Sequence, residues 1–266
     1  MADRAAVEAA LGATVAALDP LHGGSLSEVV RVTLADGRRA VAKTGPLVDR
    51  EARMLEAMAA AGAPCPRLIA VAPGLMVIEH LDETRASPAG WAALGTALAR
   101  LHGARGASYG WEEDYAFGPA RLPNAACEDW PAFWAERRLL AWPQALPADI
   151  VRRVEVLAAR LPDFLPRRPH PALLHGDLWG GNVLFTAGGA ALIDPACYHG
   201  HAEVDLAMLT LFGQPGSAFH DAYGPPEPGQ DERRPIYQLW PALVHLRLFG
   251  GGYRGMVDDR LSAAGA

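Results

Sequence analysis

Leu173-Leu174-His175-Gly176-Asp177-Leu178-Trp179-Gly180-Gly181-Asn182-Val183-Leu184-Phe185 is the stretch whose reading decides the fold. Apolar runs flank a polar, glycine-rich loop, and a second acid follows at Asp194 within Ala190-Ala191-Leu192-Ile193-Asp194-Pro195. The pattern predicts a strand, a loop and a strand, then a turn at Gly188-Gly189 and a return strand. Asp177, with Asn182 five residues on and Asp194 past one hairpin, supplies the donors that phosphoryl transfer to an alcohol requires. One carboxylate takes the hydroxyl proton. An amide and a second carboxylate suffice for Mg²⁺, which takes its other ligands from substrate phosphates and water. Taken singly, each residue has a plainer reading. Asp177 can cap its own turn, Asn182 can be a left-handed turn residue after Gly180-Gly181, and Asp194 can end a strand before Pro195. Their combined spacing favours the chemistry.

Towards the N-terminus, Ala40-Val41-Ala42-Lys43 closes a hairpin with residues 29–34 across Asp36-Gly37. A lysine ending such a strand reaches the α- and β-phosphates of ATP and needs an acid to hold it. Glu51, near the start of a helix predicted over 48–61, is the natural partner. Glu56 is five residues later and off that helix face. Gly23-Gly24-Ser25-Leu26-Ser27 precedes the hairpin, so the backbones at Gly23, Gly24, Ser25 and Ser27 are candidate phosphate contacts. Strands are predicted over 67–72 and 75–80, and a first helix over 5–18. Glu79 and Leu81 then become a candidate hinge whose backbone groups bond adenine.

Beyond residue 81 the pattern turns helical, with helices predicted over 87–102, 128–141, 148–161, 204–212, 217–223 and 235–249. Residues 103–127 and 224–234 read as irregular, which leaves 173–195 as the only strand-like part of the second half. The fold class predicted is α+β and bilobal, protein-kinase-like by analogy of element order. A β-rich nucleotide-binding lobe would span 1–80, and a mainly helical lobe with the catalytic loop and acceptor site would span 81–266. Trp179 is a candidate wall of the acceptor pocket, with core packing as its plain alternative. Asp205 is a candidate near the substrate or an anchor of the catalytic loop, with helix capping as its plain alternative. His175 is expected to brace that loop.

The chain of 266 residues is long enough for a large packed core. Its net charge of -6 argues against a general nucleic-acid binder. No apolar run is long enough to span a membrane. The opening Met1-Ala2-Asp3-Arg4 lacks a basic-then-apolar signal pattern. Cys65, Cys127 and Cys197 are too far apart for a metal or disulfide framework, so a reduced, cytoplasmic protein is expected.

The run from His175 to Asn182, with its Trp179-Gly180-Gly181, closely resembles the catalytic loop of the fructosamine-3-kinase (ketosamine-3-kinase) family. Ile193-Asp194-Pro195-Ala196, residues 201–209, Tyr237-Gln238-Leu239-Trp240-Pro241 and residues 245–253 resemble that family too, as does the loop at Gly23. The resemblance implies an ATP- and Mg²⁺-dependent kinase. Its acceptor would be the sugar 3-hydroxyl of a ketosamine such as a fructosamine or ribulosamine, small or borne on a glycated protein lysine. It implies Asp177 as base, Asn182 and Asp194 as Mg²⁺ ligands, Lys43 and Glu51 as the nucleotide pair, and Trp179 at the sugar. Several family members carry a loop cysteine that links two chains. Ser25 stands there in this chain, so a monomer or weak homodimer is expected. An aminoglycoside- or choline-type kinase and a catalytically silent nucleotide binder are the alternatives.

Overall fold

The computed structural model describes residues 3–21 and 28–266. Two compact units interleave along the chain. One comprises Met1–Arg100, Gly181–Pro195 and Gly216–Tyr223, and the other Leu101–Gly180, Ala196–Pro215 and Gly224–Ala266.

The first unit is built on a five-stranded antiparallel sheet in the order β1-β2-β3-β5-β4. Its strands are β1 (Val15–Pro20), β2 (Glu28–Leu34), β3 (Arg39–Thr44), β4 (Leu68–Ala72) and β5 (Leu75–Glu79). Alternation of side chains along each strand sends them to two separate cores. Ala40, Ala42, Leu75 and Val77 join Val7 of α1 (Arg4–Leu11) on one face. Val41, Met76 and Ile78 join Val48, Ala52 and Leu55 of α2 (Val48–Ala60) on the other.

The helix expected over 5–18 is corrected to α1 followed by β1. Gly12 adopts φ 60 as a left-handed cap, and its N–H returns to the Glu8 carbonyl. The residues beyond it pair with β2, Val15 opposite Leu34. α3 (Pro88–Gly103) begins in this unit, where α7 (Ser217–Tyr223) packs at Gly95. The hairpin β9 (Val183–Thr186) and β10 (Gly189–Leu192) also lies here, with Leu192 opposite Val183.

The second unit buries one large aromatic core. Trp130, Phe133 and Trp134 of α4 (Trp130–Trp134) pack with Val154 and Leu157 of α5 (Ala148–Phe164), and with Tyr237, Trp240 and Leu243 of α8 (Gln230–Phe249). α6 (Glu203–Leu209) and α9 (Arg254–Ala263) complete it. Residues 135–139 continue α4 as a π-type turn. That turn carries the fully buried Arg138 guanidinium to the Asn124 side chain at 2.9 Å and over the Tyr198 ring at 4.0 Å.

Three further expectations are corrected in this unit. Residues 103–127 contain a hairpin of β6 (Tyr115–Phe117) and β7 (Ala120–Leu122). α8 starts at Gln230 rather than 235, behind Gly229 at φ 78. The strand β8 (Ala172–Leu174) pairs with β11 (Tyr198–Gly200), so 173–195 is not the only strand-like part. No helix among the described residues is long and apolar enough to cross a membrane.

At Gly95 an added Cβ would meet the Phe219 carbonyl oxygen at 2.4 Å and the Tyr223 nitrogen at 3.0 Å, both backbone atoms. Gly95→Ala is therefore expected to lower unfolding free energy by about 1–3 kcal/mol, read by urea denaturation. Unchanged stability would refute that close approach.

Candidate active site

Strand alternation puts Lys43 on the α2 face of the sheet, beside Val41, Met76 and Ile78. There its Nζ donates to Glu51 Oε1 at 2.7 Å and to Asp194 Oδ1 at 3.0 Å. Lys43 and Glu51 are 7% and 3% exposed, whereas Glu56 is exposed, which settles the choice between the two glutamates. Burial alone would pull the Lys43 ammonium down. The Glu51 and Asp194 charges overcome this and hold its pKa above the usual lysine value. Burial pushes the Glu51 carboxyl up against the pull of Lys43, as befits two carboxylates sharing one ammonium.

Asp194 is the one non-glycine residue at positive φ among the described residues, at 54°. Such backbone is costly and persists where surrounding structure over-determines it. The neighbouring Ile193 N–H donates to the Asn182 carbonyl at 3.1 Å, so the start and end of the β9–β10 hairpin are tied together beside Asp194. Asn182 is 5% exposed, and the Asp194 side chain is 36% exposed. Their oxygen donors are of the kind a hard divalent cation takes.

Glu79 ends β5, and its N–H donates to the Arg67 carbonyl at 2.9 Å. The Glu79 backbone was expected to bond adenine; its N–H is committed to the segment before β4, and Leu81 lies beyond the end of β5. Gly23, Gly24, Ser25 and Ser27 lie outside the described residues.

In the second unit the β8–β11 pairing sets the start of the Asp177 loop, and the Ala196 N–H donates to the His175 carbonyl at 2.8 Å. Gly176 has φ 80, and a Cβ there would meet the Ala196 carbonyl oxygen at 2.1 Å, so only glycine fits. Asp205 of α6 has no solvent exposure. Its Oδ2 accepts the His175 N–H at 2.7 Å and its Oδ1 accepts the Gly176 N–H at 3.0 Å. His102 Nε2, at 3.1 Å from Oδ2, donates as well. Asp205 is thus an anchor of the loop, and its expected place at the substrate is corrected by complete burial. His175 is fully buried, and its Nδ1 accepts the Asp177 N–H at 3.3 Å. Glu203 is ion-paired with Arg233, whose Nε lies 2.8 Å from its Oε2.

Trp179 is 39% exposed and meets Phe212 edge-on, with ring centroids 6.3 Å apart, so it is not a core tryptophan. Phe212, His245, Phe249 and Tyr253, which continue this aromatic run, went unassigned in the sequence. The spacing of four residues from His245 to Phe249 and on to Tyr253 was the available signal.

Removing the Asp205 carboxylate strands the buried His175 N–H and the half-buried Gly176 N–H. Asp205→Ala is expected to cost roughly 2–4 kcal/mol of unfolding free energy, and Asp205→Asn, which keeps one acceptor, clearly less. Equal losses in guanidinium melts of the two variants would contradict the anchoring role.

The family model for fructosamine kinase matches residues 4–263. A protein of Thermus thermophilus named as a probable ketoamine kinase is 38% identical over 252 residues, spanning 92% of this chain and 93% of that protein. A Synechocystis protein named likewise is 38% identical over 235 residues, 81% of this chain and 77% of that one. The crystal structure of a candidate fructosamine-3-kinase from Thermobifida fusca superposes with a TM-score of 0.92 at 35% identity, covering 99% of this chain and 98% of that one.

Proposed function

The chain belongs to the fructosamine kinase family, and on that premise we propose that it transfers the γ-phosphoryl group of ATP to the sugar 3-hydroxyl of a ketosamine. It is an ATP-dependent phosphotransferase with the α+β, protein-kinase-like fold expected of such enzymes. The observation that carries the reading is the buried Lys43 ammonium held by Glu51 and Asp194. A charged lysine fixed at a strand end in this way is built to meet phosphate oxygens.

Asp177 accepts the proton of the acceptor hydroxyl as its oxygen bonds to the γ-phosphorus. The bond from that phosphorus to the bridging β–γ oxygen breaks, and ADP leaves. Lys43 offsets the phosphate charge, and Glu51 keeps Lys43 extended and protonated. Asn182 and Asp194 would hold a bound Mg²⁺, whose charge would further neutralise the phosphates. Asp205 and His175 set the height of the loop that carries Asp177. The Leu81 peptide, with the Glu79 carbonyl, remains to bond adenine at the hinge. Trp179 supplies an aromatic face for the sugar.

The acceptor is a small ketosamine or the glycated lysine of a protein, in keeping with relatives named as ketoamine kinases and one from Arabidopsis thaliana named as a protein-ribulosamine 3-kinase. Among same-fold rivals, an antibiotic or choline kinase lacks support from the relatives at 38% identity. A silent nucleotide binder is disfavoured because Lys43, Glu51, Asp177, Asn182 and Asp194 are all present in the sequence.

Asp177→Asn is expected to reduce kcat for a ketosamine by about 10²–10⁴-fold, the usual worth of a general base, while Mg-ATP affinity holds. ADP release and equilibrium nucleotide binding measure the two effects. Retained turnover would remove Asp177 from the role of base.

A further inference from the structure

The exposed Trp, Phe and Tyr side chains of the described residues gather in one place. Trp179, Phe212 and Phe249 are 39%, 44% and 52% exposed, where core aromatics would be covered. They are joined through His245, whose ring lies 5.0 Å from Phe212, 5.4 Å from Phe249 and 5.0 Å from Tyr253. Phe249 and Tyr253 are themselves 5.8 Å apart. His245 Nδ1 donates to the Pro241 carbonyl at 2.7 Å. Burial pushes its pKa below the usual histidine value, so the ring is neutral at neutral pH. The five rings therefore form a continuous uncharged aromatic surface, and it begins two residues beyond Asp177 in the chain.

A ketosamine has two ends of different chemistry. One is the sugar, whose hydroxyl must reach Asp177. The other is a secondary amine, protonated at neutral pH, with whatever substituent that amine carries. The faces of aromatic rings attract an ammonium, and ring surface removes an alkyl chain from water. No cation within the ladder opposes the amine. We propose that Phe212, His245, Phe249 and Tyr253 form a subsite for the amine-borne arm of the ketosamine, selecting adducts of long apolar amines, such as the lysine stem of a glycated protein, over adducts of short ones. The subsite rests on the ketosamine reading above and deepens it from the sugar to the amine.

The test compares wild type, Phe212→Ser and Phe249→Ser on two ketosamines of one sugar, the first made with methylamine and the second with Nα-acetyl-lysine. Melting temperatures confirm that these exposed positions tolerate serine. KM for the lysine adduct is expected to rise about tenfold in either variant, the equivalent of about 1.4 kcal/mol. The rise for the methylamine adduct should be several-fold smaller, with the kcat ratio of the two substrates held. Equal rises on both substrates, or none on either, overturn the subsite while leaving the ketosamine reading intact. Unchanged KM together with a smaller sedimenting mass overturns it too, by assigning the rings to a contact between copies of the chain. Wild-type protein that phosphorylates neither adduct overturns the ketosamine reading and the subsite with it.

Discussion

A lysine ammonium taken out of water must be met by opposite charge, and Lys43 is met by two carboxylates, from Glu51 and Asp194. Much of the first unit follows from that requirement. β3 must present Lys43 on the α2 face, which fixes the pleat of the sheet and leaves Ala40 and Ala42 for the opposite core. α2 must present Glu51 at its inner face, among Val48, Ala52 and Leu55. The hairpin of β9 and β10 must end so that Asp194 arrives at Lys43, and it does so at the expense of a left-handed backbone at a residue with a Cβ.

The second unit obeys a parallel rule with the backbone as the buried polar group. The turn at His175 and Gly176 has N–H groups that no strand or helix satisfies. The Asp205 carboxylate satisfies both, and His102 in turn satisfies Asp205. The Asp177 loop is held by a carboxylate fixed on α6 and, from within, by the buried His175 ring that accepts the Asp177 N–H. That is how a loop acquires the positional accuracy a proton acceptor needs. Gly176 is the sequence cost of the same arrangement, since the loop runs against Ala196 too closely for any side chain.

Much of this was legible in the sequence because local chemistry encodes it. The Asp177, Asn182 and Asp194 spacing marks oxygen donors around a glycine-rich loop, and the Asp36-Gly37 turn fixes the hairpin that delivers Lys43. The choice of Glu51 over Glu56 followed from helix phase. What was missed depended on partners far away in sequence. Residues 15–18 read as part of a helix because they follow an alanine-rich run, yet pairing with β2 makes 15–20 a strand. β11 is three residues long, too short for alternation to show. Asp205 carried two readings until its burial decided for the loop. The bond from the Glu79 N–H to Arg67 was not legible because it depends on how β5 meets the segment before β4.

The central claim is a reaction at one hydroxyl of one class of acceptor, and the position of the transferred phosphate tests it most directly. Incubation with Mg-ATP and a fructosamine or ribulosamine, followed by ³¹P and ¹³C NMR of the product, is predicted to show a monophosphate ester on the sugar 3-hydroxyl. An ester at another position, or no transfer to any ketosamine by protein that binds Mg-ATP, would contradict the account.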